Sequence, residues 1–212
     1  EATPAPAPAP ARPGPRCTLE LGSGTGHMAI ELAHAGWRGI VATDGEKGVV
    51  RNLKRNVQAQ RLGHAVRCLR WAWEEPTPAG VDLADVDLCI GSDLIYYCRP
   101  HDMLATLLRR ILTARSPDDA RPRARVLLLA TLRRAETDGC GQVVHRPCGD
   151  AYLGGSLQRF VEEELPFEEL VAHRRPIPSA AFEGIRDDEA REAVASPEAR
   201  EAFRLYEVMV AA

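Results

Sequence analysis

Two stretches of the 212-residue chain hold chemically capable residues at spacings that packing alone does not require. The first is Glu20-Leu21-Gly22-Ser23-Gly24-Thr25-Gly26, which follows an apolar run and precedes a helical period. Glycines in such a position let the backbone turn tightly and let a ligand lie against the main chain, where a side chain would block it. The dinucleotide fingerprint needs a glycine where His27 stands, and no Gly-x-x-x-x-Gly-Lys-Ser/Thr run is present. The second stretch is Gly91-Ser92-Asp93-Leu94-Ile95-Tyr96-Tyr97. A carboxylate (Asp93) and a phenol (Tyr96) are poor choices for packing, because each needs a partner if buried. Both can orient a nucleophile.

Two further positions support a ligand site. Asp44 stands 22 residues after Gly22, ahead of Gly45. An acidic side chain there can accept hydrogen bonds from both hydroxyls of a ribose. Asp-Gly is also a turn signal, but beside the Gly loop the ribose role is the better reading. Leu69-Arg70-Trp71 ends another apolar run, so Trp71 can pack against an adenine or simply cover the core at that rim. The six histidines show no metal-ligand spacing, and no metal is expected.

The elements that must hold these residues alternate. Strands are expected at 17–21, 39–43, 65–69, 86–91 and 125–131, the last too apolar to face water on either side. Helices are expected from the Gly loop to Ala35, from Glu46 to Gln60, and from Pro100 to about Arg115. A helix near 156–164 and strands near 167–173 and 203–210 complete seven strands. This pattern predicts an α/β fold, a doubly wound, mostly parallel seven-stranded sheet with ligands at the carboxyl ends of its strands. Residues 1–16 alternate Ala and Pro and read as an extended linker, leaving 17–212 as one domain with insertions near 137–155 and 176–201.

Composition narrows the partners. The net charge of -3 gives no electrostatic case for nucleic acid or an anionic membrane. No apolar run approaches the roughly 20 residues of a membrane span. The six cysteines include no Cys-x-x-Cys pair, and several fall in expected strands, so they read as reduced thiols of a cytoplasmic protein. Cys140 and Cys148 share a Gly-rich loop and could pair. Only two of the 27 basic side chains are lysine, a bias that says little about function.

Taken together, the Glu20–Gly26 loop, Ala42-Thr43-Asp44-Gly45, Leu69-x-Trp71 and Asp93-Leu94-Ile95-Tyr96 resemble the seven-β-strand protein-lysine methyltransferases, methyltransferase family 16. The Asp-x-x-Tyr signature after strand four is that family's own mark. The resemblance runs from about Cys17 to Thr131. It implies S-adenosyl-L-methionine as cofactor, held by Glu20, Gly22, Ser23, Gly24, Thr25, Gly26, Asp44, Gly45, Trp71 and Ser92. It also implies Asp93 and Tyr96 as catalytic residues. The expected activity is methyl transfer to a lysine ε-amine of a protein in the translation-factor, calmodulin or chaperone class, by a monomer. Small-molecule or nucleic-acid methylation, and a non-catalytic binding module, are the rival readings. Family members carry an N-terminal hairpin and helix where this chain has its Ala-Pro stretch, so those elements are expected to be missing here. The loop from Thr137 to about Gly155 falls where members shape substrate binding.

Overall fold

In the computed structural model, the structure describes residues 15–95, 102–131, 133–137, 143–147, 157, 159–178, 200 and 203–211. Seven strands form one sheet: β1 (Thr18–Leu21), β2 (Ile40–Asp44), β3 (Val66–Arg70), β4 (Leu88–Ser92), β5 (Arg125–Thr131), β8 (Leu170–Arg175) and β9 (Phe203–Val210). Their spatial order is β3-β2-β1-β4-β5-β9-β8, with β9 antiparallel to both of its neighbours and the first five strands parallel. The order reverses at β1, between β2 and β4. That switch point opens a crevice at the carboxyl end of β1, where the Gly loop begins.

Helices lie on both faces. The helix α1 (His27–His34) and the more strongly amphipathic α2 (Lys47–Ala59) bury Ala29, Ala33, Leu53 and Val57 against Ile40, Ala42, Val66 and Cys68. On the opposite face α3 (Asp102–Thr113) turns Leu104, Leu107, Leu108 and Ile111 inward, toward Leu19, Leu21, Cys89, Val126 and Leu128. Within each set, residues paired on one strand (Ile40 and Ala42, Val66 and Cys68, Leu19 and Leu21, Val126 and Leu128) stand two apart, as the period of two requires. Burial on both faces explains why β4 and β5 read as mainly apolar runs, while β1 alternates and buries Thr18 and Glu20 on its second face.

The far end of the sheet is held by Arg115, 6 % exposed. Its guanidinium donates to the carbonyls of Ala84 (2.7 Å), Val86 (2.9 Å) and Pro122, and to the Asp87 carboxylate at 2.6 Å. Asp87 in turn accepts the Arg16 amide at 2.8 Å, fixing the entry of the chain into β1. Burial pushes the Asp87 carboxyl up, but the Arg115 and Arg16 hydrogen bonds outweigh it and hold the group below the usual carboxylate range.

Two expectations change. The segment from Thr137 contains strand structure: β6 (Arg133–Thr137) and β7 (Val143–Pro147) pair antiparallel as a separate two-stranded sheet. The β-branched Val143-Val144 and the Asp138-Gly139 pair are hairpin signals that the reading as an inserted loop passed over. The expected strand at 167–173 begins later, at Leu170, because the helical segment extends further. A π-helical stretch, Phe160–Glu164, leads into an α-helical turn, Leu165–Phe167. Pro166 lacks the N–H that a regular turn would use, which suits a wider turn just before it. Glu169, at φ 55°, then reverses the chain into β8. Tyr96, the Pro100 helix start, the Ala-Pro stretch before residue 15, and Cys140 and Cys148 lie outside the described residues.

Candidate active site

The loop between β1 and α1 is built on three glycines with positive φ: Gly22 (61°), Gly24 (55°) and Gly26 (90°). These angles favour glycine, and each position uses the missing side chain differently. A Cβ on Gly26 would stand 2.4 Å from Leu53 Cδ1, so this glycine lets α1 pack against α2. A Cβ on Gly22 would stand 2.4 Å from Leu94 Cδ2. A Cβ on Gly24 would meet no atom within 4 Å, so the loop has an open face at that residue.

The loop is tied to its neighbours by both backbone and side-chain groups. The Ser23 amide donates to the Thr43 carbonyl at 2.8 Å, and the Thr43 hydroxyl to the Glu20 carbonyl at 2.7 Å. From α2, the Asn56 side-chain amide donates to the Thr25 carbonyl at 2.8 Å. Asp44 completes the set. Its Oδ2 accepts the Gly24 amide at 3.1 Å and its Oδ1 accepts the Glu46 amide at 3.0 Å. Each oxygen of a carboxylate has two acceptor positions, so Asp44 holds the loop and retains one on each oxygen for a ligand. It is half-buried at the rim, with Gly45 beside it against Ala72.

Glu20 sits beneath the loop, 5 % exposed. Burial pushes its carboxyl up to about 7, against the Ser23 hydroxyl and the Ala29 amide, which favour the charged form. Ala29 lies in the first turn of α1, whose Gly26 cap offers no side-chain acceptor. Glu20 therefore serves one of that helix's free N–H groups from a distance in sequence. Its other oxygen, Oε2, has no hydrogen-bond partner.

Strand β4 delivers the second stretch. Ser92 ends it, half-buried and opposite Leu129. Asp93 turns into the left-handed region at φ 53°, which Asp tolerates better than most residues, and its amide donates to the Leu129 carbonyl at 2.8 Å. Since β1 and β4 are hydrogen-bonded neighbours, Gly22 and Asp93 leave the sheet side by side.

Trp71 is placed otherwise than expected. It is 1 % exposed, belongs to the main core, and its indole N–H donates to the Glu75 carbonyl at 3.2 Å. A ring so enclosed has no open face for stacking in this conformation, which matches the core-covering reading of that position. Its amide donates to the Asp44 carbonyl at 2.9 Å and so helps to fix the backbone at the tip of β2. Asn56 carries no mark in the sequence, standing among the charged residues of α2, and Thr43 and Leu94 stand in the quoted motifs with no role of their own. Among the described residues no three His, Cys, Asp or Glu side chains gather as a metal site requires.

A seven-stranded sheet in this order, with a Gly loop after β1 and an acid at the tip of β2, defines the Rossmann-like methyltransferase class, whose cofactor is S-adenosylmethionine. The lysine methyltransferase family profile, Methyltransf_16, matches residues 11–138, and the chain belongs to that family. No protein of curated function matches the chain. Among solved structures it resembles the CcbJ methyltransferase from Streptomyces caelestis (TM-score 0.57, 14 % identity, 94 % of this chain and 85 % of that one). It also resembles the glycopeptide N-methyltransferase MtfA complexed with S-adenosyl-L-homocysteine (0.56, 13 %, 92 % and 81 %). A third is the mitomycin 7-O-methyltransferase MmcR (0.54, 17 %), where 92 % of this chain spans 49 % of that one. At these identities the likeness is one of fold.

Proposed function

We propose that the protein transfers a methyl group from S-adenosylmethionine to a lysine ε-amine of a protein substrate. The observation that carries this reading is the adjacency of β1 and β4, which brings the open Gly loop and Asp93 out at one rim. Membership of the lysine methyltransferase family supports the choice of acceptor. The reduced cysteines Cys17, Cys68 and Cys89 suit the cytoplasmic setting expected for it, and the monomeric state is proposed with it.

The residues fit the cofactor. The spare acceptor positions of Asp44 suit ribose hydroxyls, and the open face at Gly24 lets a ligand approach the backbone. When bound, S-adenosylmethionine supplies an electrophilic methyl on a sulfonium. The acceptor amine must be neutral, and at pH 7 deprotonating a lysine of pKa near 10.4 costs about 4.6 kcal/mol. Enclosure at the rim, away from water, lowers that cost. Asp93 favours the charged amine, so its part is to accept hydrogen bonds from the nitrogen and aim its lone pair, without acting as the base. Tyr96, outside the described residues, is given its part at the same amine by the family resemblance alone. Most of the rate comes from holding donor and acceptor in line.

Incubation with cell lysate and S-adenosylmethionine labelled in its methyl group tests the reading. Label recovered in protein is expected; label confined to RNA or to small molecules contradicts it.

A further inference from the structure

Leu94 stands between the two halves of the site. It is 6 % exposed, although it follows a strand tip directly. The left-handed turn at Asp93 folds the chain back, and Leu94 joins the core on the α3 face of the sheet. There it fills the room left by two glycines on different strands. A Cβ on Gly22 would lie 2.4 Å from Leu94 Cδ2, and one on Gly91 would lie 2.4 Å from its Cδ1. Leu128 of β5 closes the third side, 3.3 Å from that same Gly91 position. One side chain thus touches the base of the cofactor loop, the end of β4 and the flank of β5.

The neighbouring backbone gives this contact a consequence. The Asp93 amide donates to the Leu129 carbonyl on β5, and the residue adopts a conformation that side-chain-bearing residues seldom adopt. Such a turn persists only where its surroundings over-determine it. A residue anchored immediately after it, in a fitted seat, supplies that constraint. The same anchor reaches Gly22, so the position of the Asp93 turn and that of the loop are set by one object.

We propose that Leu94 is a positioning residue, which locks the Asp93 turn against the Gly22 loop by seating its two methyl groups over Gly22 and Gly91. The assignment rests on the methyltransferase reading for its functional meaning, but the seating is a property of the free protein. Gly91 then serves Leu94 by its size and not by backbone freedom: its φ lies outside the left-handed region, so the Leu94 side chain is the main obstacle to an alanine there.

Amide hydrogen exchange of the free protein, measured residue by residue, tests this in Leu94→Ala, Leu94→Met, Gly91→Ala and the Gly91→Ala/Leu94→Ala double variant. Exchange at the Asp93 amide is expected to rise at least tenfold in Leu94→Ala and in Gly91→Ala. Leu94→Met is expected to keep protection within about threefold of the parent, and the double variant to recover most of what Gly91→Ala loses. The Trp71 and Val50 amides, bonded elsewhere in the fold, are expected to hold steady in all four. Equal loss at Asp93, Trp71 and Val50 would mean ordinary core destabilisation and would overturn the proposal. So would an unchanged Asp93 amide in Leu94→Ala, or a double variant no better than Gly91→Ala. Calorimetry with S-adenosylhomocysteine on the parent chain separates the two readings. Absence of binding alongside the expected exchange pattern would remove the cofactor assignment and leave the positioning role supported.

Discussion

The carboxylate of Asp44 accepts the backbone amide of Gly24 at 3.1 Å, joining the tip of β2 to the middle of the loop that leaves β1. In the proposed function this one side chain shapes the loop and also faces the ligand, and its loss removes both contributions. Asp44→Ala is expected to weaken S-adenosylmethionine binding about 10- to 100-fold, since a hydrogen bond to a charged group contributes about 1.5–3 kcal/mol. Gly24→Arg, which places a long side chain on the loop's open face, is expected to abolish it. Titration calorimetry reads both, and unchanged affinity in both would place the cofactor elsewhere.

Asp93→Asn keeps a residue that tolerates φ 53° and removes the charge. Cofactor affinity should stay within about threefold while methyl transfer falls about 100-fold, the scale of losing one well-placed polar group at a reacting centre. Equal loss in binding and turnover would make Asp93 a part of the cofactor site instead.

Glu20 makes stability pH-dependent. Its carboxyl is raised from 4.5 to about 7, so the folded chain holds a proton that the unfolded chain has released in between. The sign follows: its favourable contribution is full below about 4.5 and is lost as pH rises through 7. From pH 5 to 8, denaturant unfolding should show a fall of up to about 3 kcal/mol that Glu20→Gln lacks. Parallel pH profiles for the two proteins would contradict the buried, neutral carboxyl.

Arg115→Met removes a guanidinium that serves three carbonyls and Asp87 at the end of the sheet away from the loop. Leaving those groups buried without a partner should cost about 3–5 kcal/mol in chemical denaturation. Well below the melting temperature, cofactor affinity should be unchanged. A variant as stable as the parent would show that water replaces the guanidinium without cost.

Much of this architecture is legible in the sequence because local signals and packing agree. The apolar runs of β4 and β5 are nearly continuous because both faces are covered, and the loop glycines fall where positive φ is needed. The mostly parallel sheet follows from alternating strands and helices. What escaped the reading depends on contacts distant in sequence. Trp71 ends a strand like a ligand-facing residue, and only the Glu75 carbonyl and the surrounding core show why it turns inward. Leu94 carries no chemistry of its own, and its seat is made by Gly22 and Gly91, about seventy and three residues away. The β6–β7 hairpin has the turn and β-branched residues of a hairpin, but it stands apart from the main sheet, where the seven-strand pattern does not look for it.

The most direct test of the central claim is the chemical identity of the product. The chain is incubated with lysate and methyl-labelled S-adenosylmethionine, the labelled protein is hydrolysed, and its amino acids are separated, with Gly24→Arg in parallel. Label in Nε-methylated lysine, present for the parent chain and absent for the variant, is the predicted result. Label in any other residue, or equal label from both proteins, would contradict it.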